Sequence, residues 1–132
     1  MKSVHVSGRR KQAIARASLS EGSGKVRVNK VLLQNFRPEV LRMRIMEPLL
    51  LAGDLAGKVD INVVVEGGGI SGQSDAARLA IARSLVEYSK GDKLKKIFLD
   101  YDRQLLVADV RQNEASKPND SKPRAKRQKS YR

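Results

Sequence analysis

The side chains in this sequence that are best placed for chemistry are cations that could bind phosphate groups. Gly8-Arg9-Arg10-Lys11 carries three of them in succession, and residues 2–16 include five basic side chains and no acidic one. A run of charge is usually a solvated surface, but here no nearby carboxylate is available to neutralise it. We therefore favour contact with phosphates, and we expect Arg16, on the outward side of the next strand, to extend the patch.

A glycine-rich segment offers a second way to bind an anion, through backbone N–H groups. Gly67-Gly68-Gly69 ends a valine-rich stretch, and Ile70-Ser71-Gly72-Gln73-Ser74 leads into a strong helical pattern. The start of a helix attracts anions, so a phosphate could lie there. The segment is not a P-loop, because Gln73-Ser74 occupies the place of the required Lys-Ser or Lys-Thr pair. The alternative is a turn that needs glycine for positive φ, with Ser71 or Ser74 as the N-cap.

Residues for catalysis or for metal binding are scarce. Cysteine is absent and His5 is the single histidine, which excludes disulfides, thiolate catalysis and cysteine-based zinc sites. His5 lacks the partners of a nucleophilic or metal site, and Asp100 and Asp102 lack a partner base, so we expect structural or surface roles for all three. No catalytic residue, metal, cofactor or small-molecule substrate is therefore predicted.

Net charge indicates the class of partner. The 132 residues include 27 Lys and Arg against 14 Asp and Glu, a formal charge of +13, which favours a polyanion such as nucleic acid. No apolar run approaches the roughly 20 residues of a membrane span, and no secretory signal opens the chain. The charges also lack the apolar helix face of a membrane-surface binder. These features predict a cytoplasmic protein that binds nucleic acid through phosphates and shape, because aromatic platforms for bases are few.

The sequence divides near residue 111. Residues 1–110 contain almost all of the large apolar side chains and are predicted to form one globular RNA-binding domain, which suits their number. Residues 111–132 hold eight basic and two acidic side chains, a net charge of +6, and too little apolar surface to offset the entropy of ordering. They are predicted to form an extended basic tail that becomes ordered only on its partner.

Apolar periodicity indicates the fold class. Alternation predicts strands at residues 4–7, 12–20, 25–28 and 59–66. Residues 12–28 are expected to form a hairpin around Gly22-Ser23-Gly24, and Asn29-Lys30 to form the next turn. Helical spacing predicts helices at residues 38–48, 74–88 and 92–100, with a further short piece at 47–52. Strands grouped ahead of helices favour an α+β, two-layer fold with helices on one face of the sheet.

Three blocks of the sequence stand out by residue type and order. They are Gly8-Arg9-Arg10-Lys11-x-Ala13-x-Ala15-Arg16 with Val28-Asn29, then Gly67-Gly68-Gly69-x-Ser71-Gly72-Gln73 with Ala77-Arg78-x-Ala80-Ile81-Ala82-Arg83, and Gln128-Lys129-Ser130-Tyr131-Arg132. Together they resemble one family, ribosomal protein number nine of the small subunit, in its archaeal and eukaryotic form. The resemblance spans the chain and implies a structural, non-catalytic role. It also implies the fold of the second domain of ribosomal protein S-five, including a left-handed β-α-β crossover.

The resemblance further implies partners and contact residues. The partners are ribosomal RNA and neighbouring proteins in the head of the small subunit, and the transfer RNA in the peptidyl site during translation. In that family the tail passes through the RNA until its end approaches the anticodon stem-loop, so Lys129, Ser130, Tyr131 and Arg132 are expected near that tRNA. The residues expected to contact ribosomal RNA are Arg9, Arg10, Lys11, Arg16, Gly67, Gly68, Gly69, Ser71, Gly72, Gln73, Arg111, Lys122, Arg124, Lys126 and Arg127.

Two alternatives differ from a ribosomal role. Sugar and mevalonate kinases resemble this fold and bind ATP phosphate through a loop rich in glycine and serine, but this chain lacks a second half for substrate and an evident base. Saturable ATP hydrolysis would support that alternative. The other is a free regulator of nucleic acid, which predicts that the tail folds and binds specifically without ribosomal partners.

Overall fold

A five-stranded mixed sheet and three α-helices make up the computed structural model, which describes residues 3–90, 92–108 and 111. The α+β class predicted from the sequence is confirmed. The strands lie side by side in the order β1, β2, β5, β3, β4. The elements are β1 Ser3–Arg10, β2 Ala13–Glu21, β3 Val26–Val28, β4 Val31–Leu32, α1 Glu39–Ala52, β5 Val59–Glu66, α2 Ile70–Ser89 and α3 Asp92–Tyr101, with 3-10 segments at Leu33–Asn35, Gly53–Lys58 and Arg103–Leu105.

Alternation along the strands gives the sheet one buried and one open face. On β2 every second side chain from Ala13 to Leu19 is buried, and on β5 so is every second one from Val59 to Val65. These apolar side chains meet helix α2, which packs on β1, β2 and β5. The opposite face, called here the outer sheet face, exposes His5, Arg9, Arg16, Arg27 and Asn62. The predicted division of β2 into a buried and a polar face is therefore confirmed.

The hairpin predicted over residues 12–28 is wrong. β5 lies between β2 and β3, antiparallel to β2 and parallel to β3, with Val26 beside Ile61. The chain crosses the start of β5 because the Asp60 carboxylate accepts hydrogen bonds from the N–H groups of Ser23 and Lys25, at 3.0 and 2.9 Å. A long strand with two pairing edges thus separates segments that the local pattern places together.

The hairpin of this region is instead formed by β3 and β4. Its turn residues, Asn29 and Lys30, both have positive φ, as two-residue hairpin turns often require, and the predicted turn is confirmed. The Asn29 side chain continues the pairing towards β5, since its Oδ1 accepts the Val65 N–H at 2.8 Å and its Nδ2 donates to the Val65 carbonyl at 3.3 Å. Helix α1 lies between the parallel strands β3 and β5 in the chain. The left hand of this crossover stays a prediction.

Helix α2 begins four residues earlier than predicted, at Ile70, with Gly69 as its N-cap. Neither Ser71 nor Ser74 caps it. Ser74 is buried inside the helix, where its hydroxyl donates a 3.0 Å hydrogen bond to the Ile70 carbonyl. Because the two glycines at positions 67 and 68 turn the chain directly after β5, with φ of +78° and +64°, the helix starts sooner than a serine cap would allow.

The helical pieces predicted at 38–48 and 47–52 form one helix, α1. Pro48 lies inside it, although proline removes one helical hydrogen bond. Both Ile45 and Pro48 are buried, so packing holds the two halves of the helix together across the proline. Helix α3 agrees with its predicted range. No helix in the described part of the chain has the length and apolar composition needed to cross a bilayer.

Candidate nucleic-acid interface

Two motifs that are far apart in the sequence lie against each other in the fold. A Cβ built on Gly67 would lie 2.5 Å from the Gln12 carbonyl oxygen, and one on Gly68 would lie 3.0 Å from the Ala13 nitrogen. The turn between β1 and β2 therefore contacts the loop between β5 and α2. We call residues 9–12 and 67–73 together the turn–helix surface. It contains most of the predicted RNA-binding residues of the globular part.

The glycines of this surface have different roles. Gly67 and Gly68 combine positive φ with close backbone neighbours, so any side chain there would strain or displace the loop. This confirms the structural explanation for these two positions, and phosphate contact stays a prediction. Gly69 has neither constraint, and a Cβ there would meet nothing within 4 Å. Glycine at this N-cap therefore leaves the backbone at the start of α2 open to a ligand.

The first turn of α2 directs uncapped N–H groups outward. The Gln73 N–H makes the first helical hydrogen bond, to the Gly69 carbonyl at 2.9 Å, and no side chain caps the helix. The N–H groups of Ile70, Ser71 and Gly72 precede that bond, and no acidic residue lies in the first turn. Such N–H groups and the helix dipole favour an anion. The Gln73 amide instead donates to the Gly67 carbonyl at 3.1 Å, so it holds the loop in place.

The three cations of the basic turn are not equivalent. Arg9 is exposed on the outer sheet face, and its Nε donates a hydrogen bond to the Lys11 carbonyl at 3.2 Å. Lys11 is also exposed and has a positive φ of 54°. Arg10 is partly buried and lies 3.7 Å from the Asp75 carboxylate. Arg9 and Lys11 are therefore better placed than Arg10 to reach an external phosphate.

The outer sheet face adds further cations beside the basic turn. Arg16 lies opposite Ser7 on β1 and Val64 on β5. The next outward-facing pair of β1 and β2 is Arg9 with Ile14, so Arg16 and Arg9 are neighbours on this face. Two strands away, Arg27 lies beside Asn62. Among the described residues, neither Arg16 nor Arg27 forms an ion pair. Sequence reasoning did not select Arg27, although its place between two buried valines marks it as outward-facing.

His5 lies exposed on the same face, and its Nδ1 is 3.0 Å from the Ser18 hydroxyl. This agrees with the predicted structural or surface role. No group of three His, Asp or Glu residues close enough to hold a metal is found within residues 3–90, 92–108 and 111.

Other arginines of the sequence motifs tie the fold together. Arg78 of α2 is mostly buried and reaches Glu47 of α1 at 2.5 Å and Asp102 at 3.2 Å. Asp102 also accepts the Gln104 N–H at 3.0 Å, which confirms its predicted structural role. Arg83 donates to the carbonyls of Ser7 and Leu106, both at 3.0 Å. Arg78 and Arg83 therefore connect α2 to its neighbours and are not counted in the interface.

The predicted tail lies almost entirely outside the described residues. Arg111 is described and exposed. The other predicted contacts of the tail fall beyond the described part of the chain: Lys122, Arg124, Lys126, Arg127, Lys129, Ser130, Tyr131 and Arg132.

Exposed cations beside an uncapped helix start, on an α+β domain of a strongly basic chain, are typical of proteins that bind nucleic acid through its phosphates. Comparison with known proteins gives the particular family. Residues 8–132 match the family described as Ribosomal protein S9/S16. The chain is also 50% identical over 134 residues to proteins named small ribosomal subunit protein uS9 from Methanococcus vannielii and from Methanococcus maripaludis strain C7, covering 100% of this chain and of each relative.

The chain therefore belongs to the ribosomal protein S9/S16 family. The resemblance inferred from its three sequence blocks is confirmed. Membership in this family also makes the chain a ribosomal, structural protein and not an enzyme, so the kinase alternative is not supported.

Proposed function

We propose that this protein is a structural constituent of the small ribosomal subunit, that it binds ribosomal RNA in the head of the subunit, and that its tail reaches the anticodon stem-loop of the peptidyl-site tRNA. The observation that carries the proposal is the contact between the basic turn and the start of α2. The names of the relatives support the subunit, since both are described as proteins of the small ribosomal subunit.

The turn–helix surface suits a folded RNA backbone. One phosphate at the start of α2 would accept hydrogen bonds from the N–H groups of Ile70, Ser71 and Gly72, while Arg9 and Lys11 hold phosphates beside it. Arg16 and Arg27 would continue the contact across the outer sheet face. Because no pair of aromatic side chains is available as a stacking platform on the described strands, this recognition depends on backbone and shape.

The tail supplies the reach that the domain lacks. Residues 111–132 carry a net charge of +6, and 22 residues fully extended at about 3.3–3.6 Å each span roughly 70–80 Å. We assign Arg111, Lys122, Arg124, Lys126 and Arg127 to ribosomal RNA. Lys129, Ser130, Tyr131 and Arg132, at the far end, are assigned to the peptidyl-site tRNA.

Salt dependence of ribosomal RNA affinity tests the RNA part of the proposal. Each phosphate contact contributes roughly 0.7–0.9 to the slope of log affinity against log salt. Deleting residues 124–132, which hold five cations, should therefore flatten the slope by about four units. A matched variant with those five cations replaced by glutamine keeps the chain length and should flatten it equally. An unchanged slope in both variants would remove the tail from the RNA interface.

The turn–helix surface has its own test in the same assay. Arg9→Gln with Lys11→Gln should flatten the slope by about two units. Arg103→Gln changes an exposed arginine outside this surface and should leave the slope as it is. Equal slopes for the two variants would contradict the assignment of the turn–helix surface.

The tRNA part is tested in assembled small subunits. Removing Arg132 should weaken tRNA binding in the peptidyl site without preventing assembly, because one terminal contact is lost. Arg132→Lys keeps the charge but loses the forked hydrogen-bond geometry of arginine. The tRNA affinity of these subunits should therefore lie between that of wild type and that of the deletion. Identical tRNA affinity in all three subunits would contradict a tRNA contact at this residue.

A further inference from the structure

The outer sheet face carries mainly short side chains, arranged in rows across the sheet. Residues that pair on neighbouring strands lie side by side on one face, so each row contains one outward side chain per strand. The two rows in the middle of this face are exposed and contain no acidic residue. They are His5, Ser18, Asn62 and Arg27 across β1, β2, β5 and β3, and Ser7, Arg16 and Val64 across β1, β2 and β5.

The middle of the longer row offers neutral hydrogen-bonding groups. The Ser18 hydroxyl lies 3.0 Å from Nδ1 of His5, and an oxygen of this kind has capacity for a further hydrogen bond. The side-chain amide of Asn62 is exposed and makes no hydrogen bond within the described part of the chain. Hydroxyl and amide groups both donate and accept. They therefore suit a partner that does the same, such as the ribose 2′-hydroxyl, whereas a phosphate only accepts.

The breadth of the face limits the nucleic-acid surface that it can meet. Adjacent strands lie about 4.8 Å apart, so the longer row spans roughly 14 Å from His5 to Arg27. Four strands side by side cannot enter the minor groove of B-form DNA, about 6 Å wide, and its major groove, about 12 Å wide, admits only a two-stranded ribbon. In A-form RNA the major groove is deep and narrow, but the minor groove is wide, shallow and lined by 2′-hydroxyls. Of these grooves, the outer sheet face fits only the last.

The charge and the side-chain types of this face also favour an RNA duplex. Arg16 and Arg27 project between neutral neighbours, which complements a negatively charged partner. The carboxylates of the face lie near the two ends of β5, and that of Asp60 already accepts hydrogen bonds from the N–H groups of Ser23 and Lys25. The described strands carry no Phe, Tyr or Trp. A single RNA strand, whose unpaired bases stack on several such rings, is therefore a poorer fit than a duplex.

We propose that the outer sheet face lies across the minor groove of a double-stranded, A-form segment of ribosomal RNA. Ser18 and Asn62 hydrogen-bond to ribose 2′-hydroxyls, and Arg16 and Arg27 bind phosphates of the two RNA strands that border the groove. The Cα atoms of these arginines are two strands apart across the sheet and two residues apart along it, or roughly 12 Å, so they reach different phosphates. The inference rests on the proposed function, because that function supplies the ribosomal RNA.

A radical source tethered to this face tests the groove directly. Cysteine is absent from the chain, so Ser7→Cys gives the full-length protein a single thiol, at an exposed position beside Arg16. An iron chelate is attached to that thiol before small subunits are assembled, and the hydroxyl radicals that it generates cut nearby RNA. The expected cuts lie in both strands of one duplex and are displaced towards the 3′ side on each strand, as for a source in a minor groove. Ser89→Cys, exposed at the end of α2, is the matched control and should not cut these nucleotides.

The outcomes separate the groove from the proposed function. Cuts in one strand only, cuts displaced towards the 5′ side, cuts that the control reproduces, or no RNA cuts from position 7 would each overturn the minor-groove inference. The same chelate on Ser71→Cys, exposed at the start of α2, reports on ribosomal RNA independently. If position 71 cut ribosomal RNA while position 7 gave any of those results, the proposed function would stand and the inference would fail. If neither position cut RNA, both would fail.

Affinity measurements distinguish hydrogen bonds to ribose from contacts with phosphate. Ser18→Ala with Asn62→Ala removes a hydroxyl and an amide from the longer row, so it should lower the affinity for ribosomal RNA by about tenfold. The slope of log affinity against log salt should stay the same, because no cation is lost. Gln34→Ala with Ser89→Ala removes exposed polar side chains outside this face and should change neither quantity. Unchanged affinity of the first variant, or an equal loss in the second, would contradict contacts with 2′-hydroxyls.

Discussion

Gly8, the first residue of the basic motif, allows strand β1 to lie directly on helix α2. A Cβ built at this position would lie 2.6 Å from the Ala76 carbonyl oxygen and 2.8 Å from the Ala80 nitrogen. Both neighbours are helix backbone, which cannot move aside as the end of a long side chain can. Replacing Gly8 with alanine should therefore push β1 away from α2 and disturb the turn that follows.

The size of this effect can be estimated from the distances. Ordinary contact begins at 3.4 Å, so the strand must move by about 0.8 Å to accommodate the methyl group. Overpacking of this kind costs about 1–3 kcal/mol, and alanine recovers about 0.4–1 kcal/mol by restricting the unfolded chain. For Gly8→Ala we expect a net loss of about 1.3 kcal/mol in the free energy of unfolding, or roughly 5 °C in Tm.

Urea denaturation followed by circular dichroism measures this loss, and the chain offers a matched control. A Cβ at Gly57 would meet nothing within 4 Å and its φ is not positive, so Gly57→Ala should be neutral or slightly stabilising. Gly8→Ala should also weaken ribosomal RNA binding, because it displaces Arg9 and Lys11 relative to α2. Equal stability of the two alanine variants would refute the close packing of β1 on α2.

Three further changes test other parts of the structure. Arg78→Met leaves Glu47 and Asp102 without their partner. It should lower the free energy of unfolding, measured in urea, by about 2–3 kcal/mol. A loss smaller than the experimental error would contradict a stabilising ion pair between α1 and α2. Hydrogen bonds from the N–H of Lys25, and then of Ser23, hold the pKa of Asp60 below its ordinary 3.8. Its carboxylate therefore stabilises the fold above that pH and loses this effect as the pH falls through the lower folded pKa, so the stability gap between wild type and Asp60→Asn should narrow in acid. The double variant Arg16→Gln with Arg27→Gln should reduce the slope of log ribosomal RNA affinity against log salt by about two units. An unchanged slope would exclude the outer sheet face from the RNA interface.

Much of the structure follows from local sequence patterns. Alternation from Ala13 to Leu19 and from Val59 to Val65 predicts both strands and their buried faces, because a side chain on a strand points opposite to its neighbour whatever the strand pairs with. The helical spacing after residue 70 and the asparagine in the β3–β4 turn are local signals of the same kind. The basic turn and the family blocks depend only on residue type and order, and they indicate a ribosomal protein without any structure.

Only tertiary structure decided what lies beside what. Three contacts join residues more than 30 positions apart in the sequence. They are the pairing of β5 between β2 and β3, the contact of Gly67 with Gln12, and the inward ion pair of Arg10 with Asp75. The exposed apolar side of α1 is a similar case, since the apolar pattern of that helix does not reveal which side the core will cover. Periodicity reports how a segment presents its side chains, but the choice of neighbour depends on packing over the whole chain.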